Sequence, residues 1–311
     1  LTLAKAIDVG LVTGPRVYSS GAFISQTGGH GDFGLPTDVP RKTGELSYAE
    51  RNGMIAVADG ADNVLMRSRE QLRQGAAQLK LMAGGGVSSD YDPLDVTQYT
   101  EAEFKAAVSA AENWGTYVTV HAYTPLAIKT AINAGVKCID HGQLADDATA
   151  KLIAEKGIWW SLQPFLDDEE VTPFPAGSKN RLKQIEMTSG TDKAYALAKK
   201  YNIKTAWGTD VLFDAKLASK QGKQLSKMTR WYTPFEILKM ATSTNAELLR
   251  MSGKRDPYQK GKLGEITESA YADLILVDGN PLENIKLIED PENNFVLIMK
   301  DGIIYKNTLQ K

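Results

Sequence analysis

VTVHAYTPLAIKTAINAGVKCIDHG, residues 118–142, decides how this 311-residue chain is read. It holds two of the three histidines, His121 and His141, each closing a short β-rich run, VTVH and then CIDH. Between them TPLAIKTAINAGV reads as one helix: Thr124 can cap it, Pro125 suits its first turn, and Leu126, Ile128, Ala131 and Ile132 recur at helical spacing. Gly135 suits the left-handed residue that ends a helix. A strand, helix, strand unit crosses over right-handed, so its strands are parallel and both histidines emerge at the same carboxyl edge of one sheet. Ligands bind at that edge. A lone histidine in an apolar run is ordinarily a core residue, but two at matching strand ends reverse that expectation.

Upstream, LTLAKAIDVG reads as the tail of a helix closed by Gly10, and residues 17–25 as a strand. In GGHGDFG, Gly28, Gly29, Gly31 and Gly34 surround His30, which suits either a loop whose backbone approaches another group or a flexible surface turn. Residues 35–53 are polar, with Pro36 and Pro40, and read as a loop; residues 62–76 read as a solvated helix. QLKLM, residues 78–82, is a strand whose alternation puts Gln78, Lys80 and Met82 on one face, the interior of a closed sheet. Buried lysines are rare without a task. The following AGGGVSS lacks the Lys-Ser/Thr ending of a phosphate-binding loop and the spacing of a dinucleotide fingerprint. Thr100 and Glu103 form a capping box for the next helix.

Downstream, Asp146 can cap DATAKLIAEKG, and IWWSLQPF is a strand. Residues 164–180 form a long loop with Asp167, Asp168, Glu169 and Glu170, either a lid or an acidic surface loop. Two helices run to Tyr201, and KTAWGTD is a strand ending on Asp210. Two short helices follow in PFEILKMATSTNAELLRM. The period then changes, and YADLILVDG, NFVLIMKDG and IIYKN read as antiparallel β with Asp-Gly turns. The boundary falls near Gly264, giving parts 1–264 and 265–311.

Alternating strands and helices up to that boundary predict an α/β fold with a parallel sheet. Six strands are counted, and four of them end on or contain Lys80, His121, His141 and Asp210. In a doubly wound sheet those side chains would spread along an edge; in a barrel they converge. Lys, His, His and Asp converging is a metal site. The formal charge of -2 carries no electrostatic footprint for nucleic acid. Cys138, the only cysteine, allows no internal disulfide and reads as an inert buried thiol. No apolar run is long enough to span a bilayer. Nothing at Leu1 has a targeting pattern, a leader cannot be judged from this start, and a cytoplasmic location is favoured over a periplasmic one.

TGGHGDF, QLKLMAGGGV, VTVHAYTPLAI, CIDHG, WGTD and KLGEITESAYADLILVDGNPLENI occur in this order over nearly the whole chain. Together they resemble the amidohydrolase superfamily, in its branch of metal-dependent dipeptidases, prolidase-like and Xaa-Arg carboxypeptidase-like enzymes and imidazolonepropionase relatives. The resemblance implies a TIM-like (β/α)8 barrel, here with about six of eight strands, and the carboxyl-terminal part of a small β-sandwich. It implies Zn2+, one or two ions in a complete protein, with Lys80 carboxylated as the bridging ligand. His121 and His141 match the ligands of one metal, and Asp210 matches the aspartate that binds the other and shuttles the proton. Tyr123, from the HAY motif, is placed beside the substrate or, alternatively, serves as a packing residue at the helix entry. His30 is expected near the mouth as a substrate-side group rather than a ligand.

The family's first barrel strand ends in His-x-His, and no His-x-His occurs here. The expectation is therefore a fragment or a shortened form, with exposed edges covered by another chain as a homo-oligomer. The function expected is metal-dependent hydrolysis of an amide bond in a dipeptide or N-acyl amino acid, impaired in this chain. A non-catalytic barrel remnant and a cyclic-amide hydrolase of the imidazolonepropionase type are the alternatives.

Overall fold

The structure is a computed structural model that describes residues 1–39, 45–168, 171, 173–212 and 214–309. By compactness it divides into two units: Leu1–Ser161 with Pro173–Lys204 and Met251–Pro257, and Leu162–Thr172 with Thr205–Arg250 and Tyr258–Lys311.

In the first unit the strands are β1 (Phe23–Ser25), β2 (Ile55–Val57), β3 (Leu79–Met82), β4 (Val118–Ala122), β5 (Cys138–His141) and β6 (Trp159–Leu162, whose last residue passes into the second unit). They are parallel, in the order β2-β1-β3-β4-β5-β6. The chain therefore leaves β1 for one neighbour and returns for the other, and the carboxyl edge between β1 and β3 is where such a reversal opens a crevice. Register pairs Lys80 with Thr119, Met82 with His121, His121 with Asp140, and Ala122 with His141. Strand alternation then places Lys80, Thr119, His121, Cys138 and Asp140 on one face. Leu79, Leu81, Val118, Val120 and Ile139 occupy the other face and are fully buried. Helices Glu101–Trp114 and Pro125–Asn133 bury Phe104, Ala107, Ala111, Ile128 and Ala131. Continuous Val, Ile and Leu on a covered face is what a parallel sheet requires.

Several expectations need correction. Ile55–Val57 is a seventh parallel-type strand where none was expected, just beyond the 35–53 stretch read as loop. That stretch also contains the helix Tyr48–Arg51, with a capping box between Ser47 and Glu50; Pro40 lies outside the described residues. The strand expected over 17–25 is confined to Phe23–Ser25, and that over 204–209 to Thr205–Trp207. Thr124 does sit at the helix start, but its Oγ1 makes no cap hydrogen bond, and Leu126 is exposed while Ala127 takes the buried place. Gly135 is left-handed, Asp146 accepts from the Thr149 N–H, and Thr100 and Glu103 form their capping box. Of the loop acids, Glu169 and Glu170 lie outside the described residues.

In the second unit, β7 (Thr205–Trp207) precedes Asp210. The two helices expected after Pro234 are Pro234–Lys239 and Asn245–Leu249, joined without a break by a π turn at Met240–Thr244. Asn245 opens the second, and its amide takes both backbone groups of Trp207: Oδ1 accepts from the Trp207 N–H at 2.9 Å and Nδ2 donates to its carbonyl at 2.8 Å. β8 (Leu274–Val277), β9 (Phe295–Lys300) and β10 (Ile303–Asn307) form the expected antiparallel sheet, in the order β10-β9-β8. Among the described residues no helix is long and apolar enough to cross a membrane.

Candidate functional site

His121 and His141 finish adjacent strands, and their ring centroids are 4.7 Å apart. Periodicity alone would put His141 beside Ile139, on the opposite face from His121. It joins His121 because its backbone is left-handed, with φ at +75°. Gly142, also at +75°, completes the turn, and its N–H donates to the Ala122 carbonyl at 2.8 Å. The Trp160 indole N–H donates to the His141 carbonyl at 2.8 Å, and a Cβ on Gly142 would stand 2.4 Å from that same nitrogen. An unusual backbone held by specific bonds is typical of functional positions.

His30 stacks on His121 with centroids 4.2 Å apart, and Tyr123 packs its ring 4.8 Å from His121 and 5.4 Å from His141. Four of the six residues expected in the site are therefore one cluster. Burial pushes the His121 imidazole well below the usual histidine range, helped by His30, His141 and Lys80. Burial likewise lowers His30 to about 4, with the charge of Asp92 opposing. Both rings are neutral at pH 7, the form a metal needs.

Lys80 lies on the same sheet face, and its neighbour is a carboxylate. Its ammonium pairs with the carboxylate of Asp140, which also accepts the Thr119 hydroxyl at 2.8 Å. Asp140 was missed in sequence because the D of CIDH reads as an ordinary strand residue; only the register beside Lys80 and Thr119 reveals it. Cys138 is fully buried, and burial raises its thiol well above the ordinary range, which suits the inert role expected. Asp210 belongs to the second unit, exposed just after β7, with φ at +49°.

A model of the amidohydrolase family matches residues 1–306. The chain belongs to the amidohydrolase family. It is similar to ochratoxinase of Aspergillus niger, 33% identical over 317 residues, which cover 98% of this chain and 63% of the relative. It therefore spans less than two thirds of that curated relative's length. Among solved structures it resembles a prolidase complexed with N-methylphosphonate-L-proline, with 33% identity, a TM-score of 0.85, and coverage of 98% of this chain and 73% of the other. An Xaa-Pro dipeptidase with bound methionine in its active site gives 29% identity, a TM-score of 0.81, and coverage of 98% and 72%. The fold class is α/β, with a parallel sheet and a separate small antiparallel sheet, as the sequence led one to expect.

Amidohydrolases generally work with a metal, and the donor set here fits one in part. Two buried imidazoles with ring centroids 4.7 Å apart are suitable ligands. Among the described residues, no group of three or more His, Cys, Asp or Glu side chains could hold an ion.

Proposed function

We propose that this chain carries the machinery of a metal-dependent amide hydrolase acting on a dipeptide or an N-acyl amino acid. The observation that carries the reading is the His121–His141 pair: two buried imidazoles brought together at the ends of adjacent strands, at the cost of a left-handed backbone. The substrate class rests on the likeness to ochratoxinase, a prolidase and an Xaa-Pro dipeptidase. The hydrolase part is taken as 1–264 and the sandwich part as 265–311.

In this reading His121, His141 and carboxylated Lys80 would hold one divalent cation, with Zn2+ the expected ion. Such a cation supplies a bound water that ionises near pH ~7 and a Lewis acid for the carbonyl oxygen. By its resemblance to the family's aspartate, Asp210 would take the proton of the attacking water and give it to the leaving nitrogen. Tyr123 and His30 border the substrate, and the rings packed around His121 keep bulk water from it. Self-association as a homo-oligomer belongs to the same reading, and sedimentation velocity at micromolar concentration tests it.

Two imidazoles and one carbamate serve one cation, so turnover by residues 1–311 is expected at least ~10²-fold below that of a two-metal site. The test combines zinc content after dialysis against zinc and bicarbonate with hydrolysis of Xaa-Pro dipeptides and N-benzoyl-phenylalanine. One zinc per chain and slow turnover, both lost in His121→Ala, support the proposal. A chain with neither overturns it. The second reading, a non-catalytic barrel remnant, would then stand, and the engagement of Lys80 by Asp140 is the observation in its favour.

A further inference from the structure

AGGGVSSDYDP, residues 83–93, has the glycine density of an anion cradle, but its geometry serves a different purpose. The Gly85 carbonyl oxygen lies 3.0 Å from His121 Nε2. A carbonyl has no hydrogen to donate, so Nε2 carries the proton and Nδ1 keeps its lone pair. A Cβ on Gly85 would stand 1.8 Å from the Pro93 carbonyl oxygen, and one on Gly86 1.8 Å from His30 Nδ1. The glycines are there so that backbone can reach two imidazole rings.

The loop is gripped from two sides. Asp92, only 3% exposed, accepts the Gly86 N–H at 2.8 Å and the Gln98 amide N–H at 3.1 Å on Oδ2. The oxygen of that same Gln98 accepts the His30 backbone N–H at 3.0 Å. From the helix Lys179–Ser189, Lys183 donates to the carbonyls of Gly86 at 3.0 Å and Ser89 at 2.8 Å. Asn180, on the same helix, donates to the Val87 carbonyl at 2.8 Å. Among the described residues, Asp92 Oδ1 is buried with no hydrogen-bond partner. A buried carboxylate left half-satisfied works against stability, so its place against the Gly86 N–H calls for another explanation.

We infer that Asp92 and Lys183 are positioning residues for a metal-binding imidazole. By holding Gly86 at its N–H and its carbonyl, they set the Gly85 oxygen against His121 Nε2–H and present His121 Nδ1 as the donor atom. The metal half of this inference rests on the reading of His121 as a ligand; the tautomer half does not.

The experiment uses the full 311-residue chain and its Asp92→Ala, Asp92→Asn and Lys183→Met variants. The His121 tautomer is read without metal from long-range 15N–1H correlations, and Co2+ affinity from the absorption of the bound ion. The wild type should show the Nε2–H form. In Asp92→Ala and Lys183→Met the Nδ1–H form should appear, and the Co2+ Kd should rise about 10- to 100-fold. Asp92→Asn keeps an oxygen for Gly86 and should restore both readouts. Folded Asp92→Ala and Lys183→Met variants with the wild-type tautomer and affinity overturn the inference; should Asp92→Ala fail to fold, Lys183→Met decides. A wild type that binds no cobalt overturns the metal half alone, and the tautomer still decides the rest.

Discussion

His121 and His141 stand on alternate faces by strand periodicity, yet their rings meet at 4.7 Å because His141 adopts a left-handed backbone. An L residue there is strained by roughly 1–2 kcal/mol, and glycine is not. His141→Gly should therefore be more stable than His141→Ala by about 1 kcal/mol, the reverse of the usual order of these residues within regular structure. Urea denaturation of both variants checks this. Equal stabilities, or alanine ahead, would mean that the turn relaxes once the imidazole is gone.

Lys80 and Asp140 keep only 19% and 17% of their side chains exposed, so each would be an unpaired, largely shielded charge without the other. Breaking such a pair from one side costs more than removing both members. Lys80→Met and Asp140→Asn should each destabilise the metal-free chain, while the double variant should be less destabilised than their sum, with a coupling of about 1–3 kcal/mol. A double-mutant cycle followed by thermal unfolding reads the coupling directly, and additivity would show that the pair contributes nothing.

Asp146 caps the helix Asp147–Glu155 through the Thr149 N–H at 2.7 Å, and Thr149, through its side chain first and then its N–H, holds the Asp146 carboxyl below the usual range. Asp146→Ala should lower stability by about 1 kcal/mol at pH 7. The sign with pH follows from the depressed value: the contribution is present above the unfolded carboxyl range and fades as pH falls through the folded one. The gap between wild type and variant should thus narrow below about pH 4. A gap that stays constant on acidification would assign the effect to packing.

Gly85→Ala forces a methyl group to within 1.8 Å of the Pro93 carbonyl oxygen, and backbone cannot yield as a side chain can. A loss of about 3 kcal/mol is expected, at the upper end of ordinary overpacking. Chemical denaturation measures it; an effect below about 0.5 kcal/mol, the range of neutral surface changes, would show that the loop has room to shift.

Much of this was legible before any coordinates. VTVH and CIDH flank a helix whose caps and apolar spacing name its ends, and the parallel unit follows from chain handedness. Lys80 stood out because a charge inside an alternating strand needs a reason. What stayed hidden depends on neighbours distant in sequence. Ile55–Val57 is three residues long, too short to show a period, and is a strand only because β1 lies beside it. Asp140 acquires its meaning from Lys80, 60 residues away, and the swing of His141 depends on Trp160 and Gly142 closing around its carbonyl. The AGGG run resembled several loops and matched none, because its role is set by the rings that press on it.

The Asn245 amide, bonded to both the N–H and the carbonyl of Trp207, imitates what the next strand of a sheet would offer at that register. With the N–H and carbonyl of Trp207 already taken, no other backbone can pair at that residue, so this one side chain works as a stopper against β-addition there. Removing it would turn a finished boundary into an adhesive one, and the visible result would be filaments or soluble aggregates.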